Sequence, residues 1–153
     1  MWQRIQTVFL VLVVVSMIVS IFLPIWSQTE GEVQRQLYPL HFTVIENGVR
    51  STTYFPYSLT ATLMIAVATV AVLTIRRYDN RITQIKLGTL NSLLLAGVMI
   101  CVVWFYNGIS KEYGFVKYGI NIWIPFLAVA CNWLALRFIR RDEKMVRDSD
   151  RLR

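Results

Sequence analysis

The sequence predicts an all-α membrane fold: an antiparallel four-transmembrane-helix bundle, with a small β-hairpin in the first extracytoplasmic loop and a cytoplasmic C-terminal helix. Three observations predict it. The 153-residue chain is 56% hydrophobic with a mean hydropathy of +0.50, well above soluble usage. Its apolar residues fall in four uninterrupted blocks, each near the ~20 residues that cross ~30 Å of hydrocarbon. The net charge of +7 lies on one side. Arg4, the stretch Arg76–Lys86 and the residues after Leu136 hold twelve of the sixteen Lys and Arg. The other two connections hold Arg35, Arg50, Lys111 and Lys117, balanced by Glu30, Glu32, Glu46 and Glu112. By the positive-inside rule the basic side is cytoplasmic and holds both termini. The chain reads as a single integral membrane domain, 1–153.

Span one covers 5–26. Its apolar run is too long for a signal-peptide core and no A-x-A site follows, so it reads as an uncleaved anchor. Pro24 and Trp26 mark its outer end, Trp26 at headgroup level. The outer loop 27–55 carries the hairpin. Asn47-Gly48 separates two β-branched and aromatic runs, the strongest short hairpin signal, because both turn residues need φ > 0. A two-residue turn pairs Glu46 with Val49, Val44 with Ser51, Phe42 with Thr53 and Leu40 with Phe55. The face with Leu40, Phe42, Val44 and Phe55 then rests on the helix ends, since an isolated hairpin is marginal in water; Ser27–Leu37 can supply a third strand.

Span two covers 56–75, opening on Pro56, with small alanines that permit close helix approach. An inner turn occupies 76–86. Span three covers 87–106, with Gly88 and Gly97 inside it and Trp104-Phe105-Tyr106 as an aromatic belt. A short outer loop covers 107–118. Span four covers 119–136, with Trp123 near one interface and Trp133 near the other. The tail 137–153 continues the helix. Phe138, Met145 and Leu152 recur every seven residues with Ile139 and Val146 beside them, a narrow apolar stripe. Glu143–Arg147 and Lys144–Asp148 support the helix at i,i+4. Three readings of the tail stand: a solvated helix end that carries the topology signal, a segment lying on anionic lipid, or one docking a partner or its own inner turn. The layout is similar to the claudin-type four-span arrangement, without the claudin loop signature.

The chemistry-bearing residues are few. No span contains Asp, Glu, Lys, Arg or His, which disfavours ion-coupled transport and proton relays. Asn91, Ser92 and Asn132 are uncharged polar groups inside spans; Asn91 and Asn132 are candidates for an interhelical hydrogen bond, at about 0.6 kcal/mol. Cys101 and Cys131 lie at different depths, and there is no C-x-x-C, so they read as packing residues. His41 is the only histidine and makes no metal site. No catalytic triad, H-E-x-x-H or phosphate loop occurs, so the expectation is no enzyme, no catalytic or metal residue and no cofactor. The four acids of the tail argue against a nucleic-acid partner, because they repel phosphate.

Gln3-Arg4-Ile5-Gln6-Thr7, Asn80-Arg81, Gln84-Ile85-Lys86-Leu87 with Leu90-Asn91, and the closing Asp142-Glu143…Val146-Arg147…Asp150-Arg151-Leu152-Arg153 form a pattern spanning the whole chain. It resembles the Bacteroidetes membrane family DUF 4293. The family's end motif is close to K-D-E-x-L-V-R-S-x-D-R-L-R; here Arg141 stands for Lys, Met145 for Leu and Asp148 for Ser. The resemblance implies a four-span protein of the bacterial inner membrane with no established activity, whose distinctive positions cluster on the cytoplasmic side.

The leading functional expectation is a non-enzymatic inner-membrane scaffold or accessory subunit. Its candidate partner-binding residues on the cytoplasmic face are Arg4, Gln6, Asn80, Arg81, Gln84, Lys86, Arg140, Asp142, Glu143, Arg147, Asp150, Arg151 and Arg153. The alternative is a small transporter or pore with a neutral polar path at Asn91 and Asn132. Expected partners are the lipid bilayer and a protein at the cytoplasmic face; a homo-oligomer is left open.

Overall fold

The described residues fold as four long helices and one four-stranded antiparallel sheet. The computed structural model describes residues 2–113 and 119–151, with side chains over 5–113 and 119–148. Helix α1 is Trp2–Phe22. Strands β1 (Trp26–Glu30), β2 (Val33–Leu37), β3 (Phe42–Glu46) and β4 (Val49–Thr53) follow. Then come α2 (Ser58–Arg76), α3 (Arg81–Tyr113), a 3-10 turn at Ile120–Ile122 and α4 (Ile124–Arg151). All four helical segments are long and apolar enough to cross a membrane.

Each helix buries one narrow seam. In α1 it is Gln6, Leu10, Val13, Met17 and Ser20; in α3 it is Gln84, Gly88, Asn91, Leu95, Val98, Val102, Tyr106 and Ile109. Every step is three or four residues, the spacing of one helix face. The opposite faces are apolar too: Leu12, Val15, Ile65, Leu93, Ile100 and Trp104 are all exposed. A helix that is hydrophobic all round is one whose outer face does not meet water. Helix α1 packs on α2 and α4, and α3 packs on the same two. Phe9 stacks on Phe138 and Ser20 bonds Asn121, so α1 and α4 run in opposite directions.

Three expectations are corrected. The hairpin is the second half of a β1-β2-β3-β4 meander. Its register is as expected at Glu46–Val49, Val44–Ser51 and Phe42–Thr53, and Asn47 and Gly48 have φ of 48° and 78°. The Leu40–Phe55 pair does not form. Leu40 belongs to a connection closed by the Tyr38 N–H bonding the His41 carbonyl, and Leu40 and Phe55 are both exposed. Where Ser27–Leu37 was expected to supply one further strand, there are two, WSQTE and VQRQL, the first opening at Trp26. Their turn places Gly31 at its first central position with φ 59°, as a type II′ turn requires.

Second, α1 ends at Phe22, and Trp26 opens β1 fully buried instead of sitting at headgroup level. Its ring meets Phe42 and Tyr113, and Phe42 and Tyr57 extend the cluster to Phe105. This aromatic plug seats the sheet on the end of α3. Third, the expected turn 76–86 shrinks to residues 77–80. The Asn80 side chain accepts the Thr83 N–H at 3.0 Å, an N-cap that starts α3 at Arg81. At its other end α3 takes in residues 107–113, which were expected in a loop. At 33 residues α3 is about 50 Å long, at 1.5 Å per residue. The tail does continue α4, as far as Arg151.

Candidate functional site

The polar residues of the seams gather in three layers. At the turn end, Arg81 Nη2 lies 3.4 Å from Asp142 Oδ2, and Arg81 Nη1 donates to the Asp142 backbone carbonyl at 3.1 Å. Gln84 Nε2 donates to the Thr74 carbonyl at 3.0 Å. That carbonyl is one of the last four of α2 and has no intrahelical partner, so Gln84 supplies what the helix end lacks. Gln6 of α1 is buried beside them. Its Nε2 has no partner among the described residues. It borders a cavity of about 20 Å³ lined also by Arg81, Gln84, Ile139 and Asp142, room for one water.

In the middle layer Asn91 Nδ2 donates to Asn132 Oδ1 at 3.2 Å. Asn132 Nδ2 donates to the Gly88 carbonyl at 3.1 Å and to Ser92 Oγ at 2.8 Å. Both amides are buried. Gly88 makes this approach possible, because a Cβ there would lie 2.6 Å from Leu136 Cδ2.

At the sheet end the Ser20 hydroxyl donates to Asn121 Oδ1, and Asn121 Nδ2 donates to the carbonyls of Ser20 and Leu23. Asn121 thereby satisfies the last turn of α1. Sequence reasoning missed this layer. Its signal was Gly119 two residues earlier, whose N–H bonds the Ile25 carbonyl and whose Cβ position is already filled by the backbone of Pro24 and Ile25.

The expected face is thus divided. Gln6, Arg81, Gln84 and Asp142 come together and face inward. Asn80, Lys86, Arg140 and Arg147 are exposed and Glu143 is half-buried. The side chains of Arg4, Asp150 and Arg151, and Leu152 and Arg153 entirely, lie outside the described residues, as does Lys117. On the tail stripe, Ile139 is buried, Phe138 half-buried, and Met145 and Val146 exposed. Cys101 and Cys131 form no disulfide, as their separation implied. Among the described residues no three His, Cys, Asp or Glu side chains gather as a metal-binding group. His41 lies between the rings of Tyr38 and Tyr54; burial, and then the charge of Arg50, push its pKa down from 6.5.

The helices, the sheet and all three polar layers fall within one matched region. The chain belongs to the family described as Domain of unknown function (DUF4293), which matches residues 2–152. No curated protein matches it. The family match therefore covers α1 to α4, including the Arg81–Asp142 contact and the Asn91–Asn132 layer.

Proposed function

We propose that this DUF4293 protein is a non-enzymatic scaffold or accessory subunit of the bacterial inner membrane. In this reading the four helices form an antiparallel bundle across the bilayer. The sheet lies outside, and both termini and the 77–80 turn lie in the cytoplasm, where the basic residues concentrate. The exposed stretch of α4 docks a protein partner.

One observation carries the reading. Past the Arg81–Asp142 contact, α4 continues from Glu143 to Arg151, about 14 Å at 1.5 Å per residue. Over that length it presents exposed Met145 and Val146 beside exposed Lys144 and Arg147. Partly exposed apolar side chains flanked by charge near a helix end are what a groove on another protein accepts. The inward residues Gln6, Arg81, Gln84 and Asp142 act differently: they tie the helix ends together ahead of that stretch. The transporter alternative has less support. Asn91 and Asn132 bond to each other, and buried Leu95 and Val98 separate them along α3 from the sheet-end layer.

The test is affinity capture in mild detergent of the full chain, a chain ending at Glu143, and a Met145→Ser/Val146→Ser variant. Ending at Glu143 leaves the Arg81 contact intact, so a loss reports docking and not unfolding. A partner retained by the full chain and lost from the other two is expected. The same proteins on all three would overturn the docking role. A cysteine at position 47 should react with an impermeant maleimide in whole cells and one at position 80 should not; the reverse pattern would invert the topology.

A further inference from the structure

We propose that the groove between α3 and α4 near the turn end binds one anionic phospholipid, its phosphodiester held by Arg137 and Arg140. The proposal rests on the membrane reading above. The groove has a volume of about 370 Å³ and is lined by Thr89, Ser92, Trp133, Leu136, Arg137 and Arg140. The guanidinium of Arg137 sits 5.4 Å from the centre of the Trp133 ring, which holds the cation over the groove. Arg137 and Arg140 are exposed, and neither pairs with a carboxylate among the described residues. They differ in this from Arg81, one helix over, whose charge Asp142 answers.

The rest of the groove says what kind of anion fits. The Thr89 hydroxyl bonds the Ile85 carbonyl at 2.8 Å, and that of Ser92 bonds the Gly88 carbonyl at 3.1 Å. Their protons are used within α3, so what the lining offers an anion is the charge of the two arginines at the mouth. Away from the mouth the surface is apolar, with Trp133 57% and Leu93 72% exposed. A soluble phosphate would leave that surface uncovered, whereas an acyl chain attached to the phosphate covers it. Basic pockets between transmembrane helices on the cytoplasmic side suit such headgroups. Two other grooves lack the combination. The one between α1 and α2 carries a single cation, Arg76, and the one between α3 and α4 at the sheet end carries none.

Native mass spectrometry of the full chain, released from detergent after titration with dioleoyl phosphatidylglycerol or dioleoyl phosphatidylcholine, tests the proposal. One phosphatidylglycerol should be retained in preference to phosphatidylcholine. Arg137→Gln/Arg140→Gln should weaken it by roughly tenfold or more, from ~1 kcal/mol per basic residue. Thr89→Trp fills the groove, leaves both arginines in place and changes only an exposed residue; it should weaken retention at least as much. Arg147→Gln, on the same helix but away from the groove, should leave phosphatidylglycerol retention unchanged. Equal loss with Arg147→Gln, or retention by Thr89→Trp, would make the attraction a general property of the basic face and overturn the site. Displacement by millimolar inorganic phosphate would overturn the lipid as occupant. Failure of the membrane reading shows differently: the chain would then stay in the aqueous phase without detergent and give no lipid-dependent signal to compare.

Discussion

The two ends of the helices solve one problem in opposite ways. At the sheet end the chain closes its core with rings: Trp26, Phe42, Tyr57, Phe105 and Tyr113 form a continuous cluster under the sheet. At the turn end it closes with polar groups: Arg81 on Asp142, Gln84 on the end of α2, and Asn80 as the cap of α3. Rings bury area without direction. Polar caps bury little but fix which helix end meets which. The sheet end should therefore hold most of the stability, and the turn end most of the specificity of helix pairing.

Trp26→Ala should have the largest effect. The side chain is fully buried, and truncating a buried Trp costs about 3–5 kcal/mol. Thermal unfolding in mild detergent, followed by circular dichroism, should show a large drop. A change no greater than that of a turn-end substitution would break the comparison. Gly119→Ala comes next. Its Cβ would strike the backbone of Pro24 and Ile25, which cannot rotate aside, so about 1–3 kcal/mol should be lost by overpacking. Gly88→Ala should cost less, since Leu136, a flexible side chain, can move.

Asn132→Leu removes three hydrogen bonds, to Asn91, Ser92 and Gly88. At about 0.6 kcal/mol each for interhelical bonds in membranes, the loss should fall near 1–2 kcal/mol. Asn91→Leu combined with it should cost less than the sum, because the second change removes a partner already orphaned. Asp142→Asn should cost about 1 kcal/mol or less, as the pair is partly exposed and the Arg81 bond to the backbone carbonyl survives. Its clearer effect should be on α3–α4 proximity, read as faster crosslinking between cysteines placed at mismatched turn-end positions.

The helices were legible because an apolar block of ~20 residues is a strong signal, and the hairpin because Asn47-Gly48 demands positive φ. The other half of the sheet was legible only as one further strand in Ser27–Leu37. WSQTE and VQRQL carry too little apolar alternation to read as a hairpin of their own, and their burial depends on Tyr113, more than 75 residues away. Trp26 was misplaced for the same reason: one tryptophan after an apolar run suits a headgroup or a core equally until the partner rings are known. The Asn91–Asn132 contact was legible because unpaired amides in apolar helices require partners. The inward turn of Gln6 and Gln84 was not, because a polar residue near a basic turn reads as exposed. Only the heptad step from Gln84 to Asn91 hinted that Gln84 belongs to the seam.

The smallest expected effect belongs to the sheet end and acts through charge, the currency of the other end. His41 stacks on Tyr38 and meets a tilted Tyr54 ring, and neither ring nitrogen has a hydrogen-bond partner among the described residues. Burial first, and then Arg50, lower its pKa from 6.5. The unfolded chain therefore takes up a proton at a pH where the folded chain does not. Stability from the neutral ring is complete above 6.5 and is lost as pH falls from there towards the folded value. His41→Phe keeps an aromatic ring between the tyrosines and removes the titration. Between about pH 7.5 and 5 the melting temperature of the parent should fall further than that of His41→Phe, the two converging at the upper end. Parallel curves would mean that the imidazolium finds a partner in the sheet, and that even this end of the molecule accommodates charge as the turn end does.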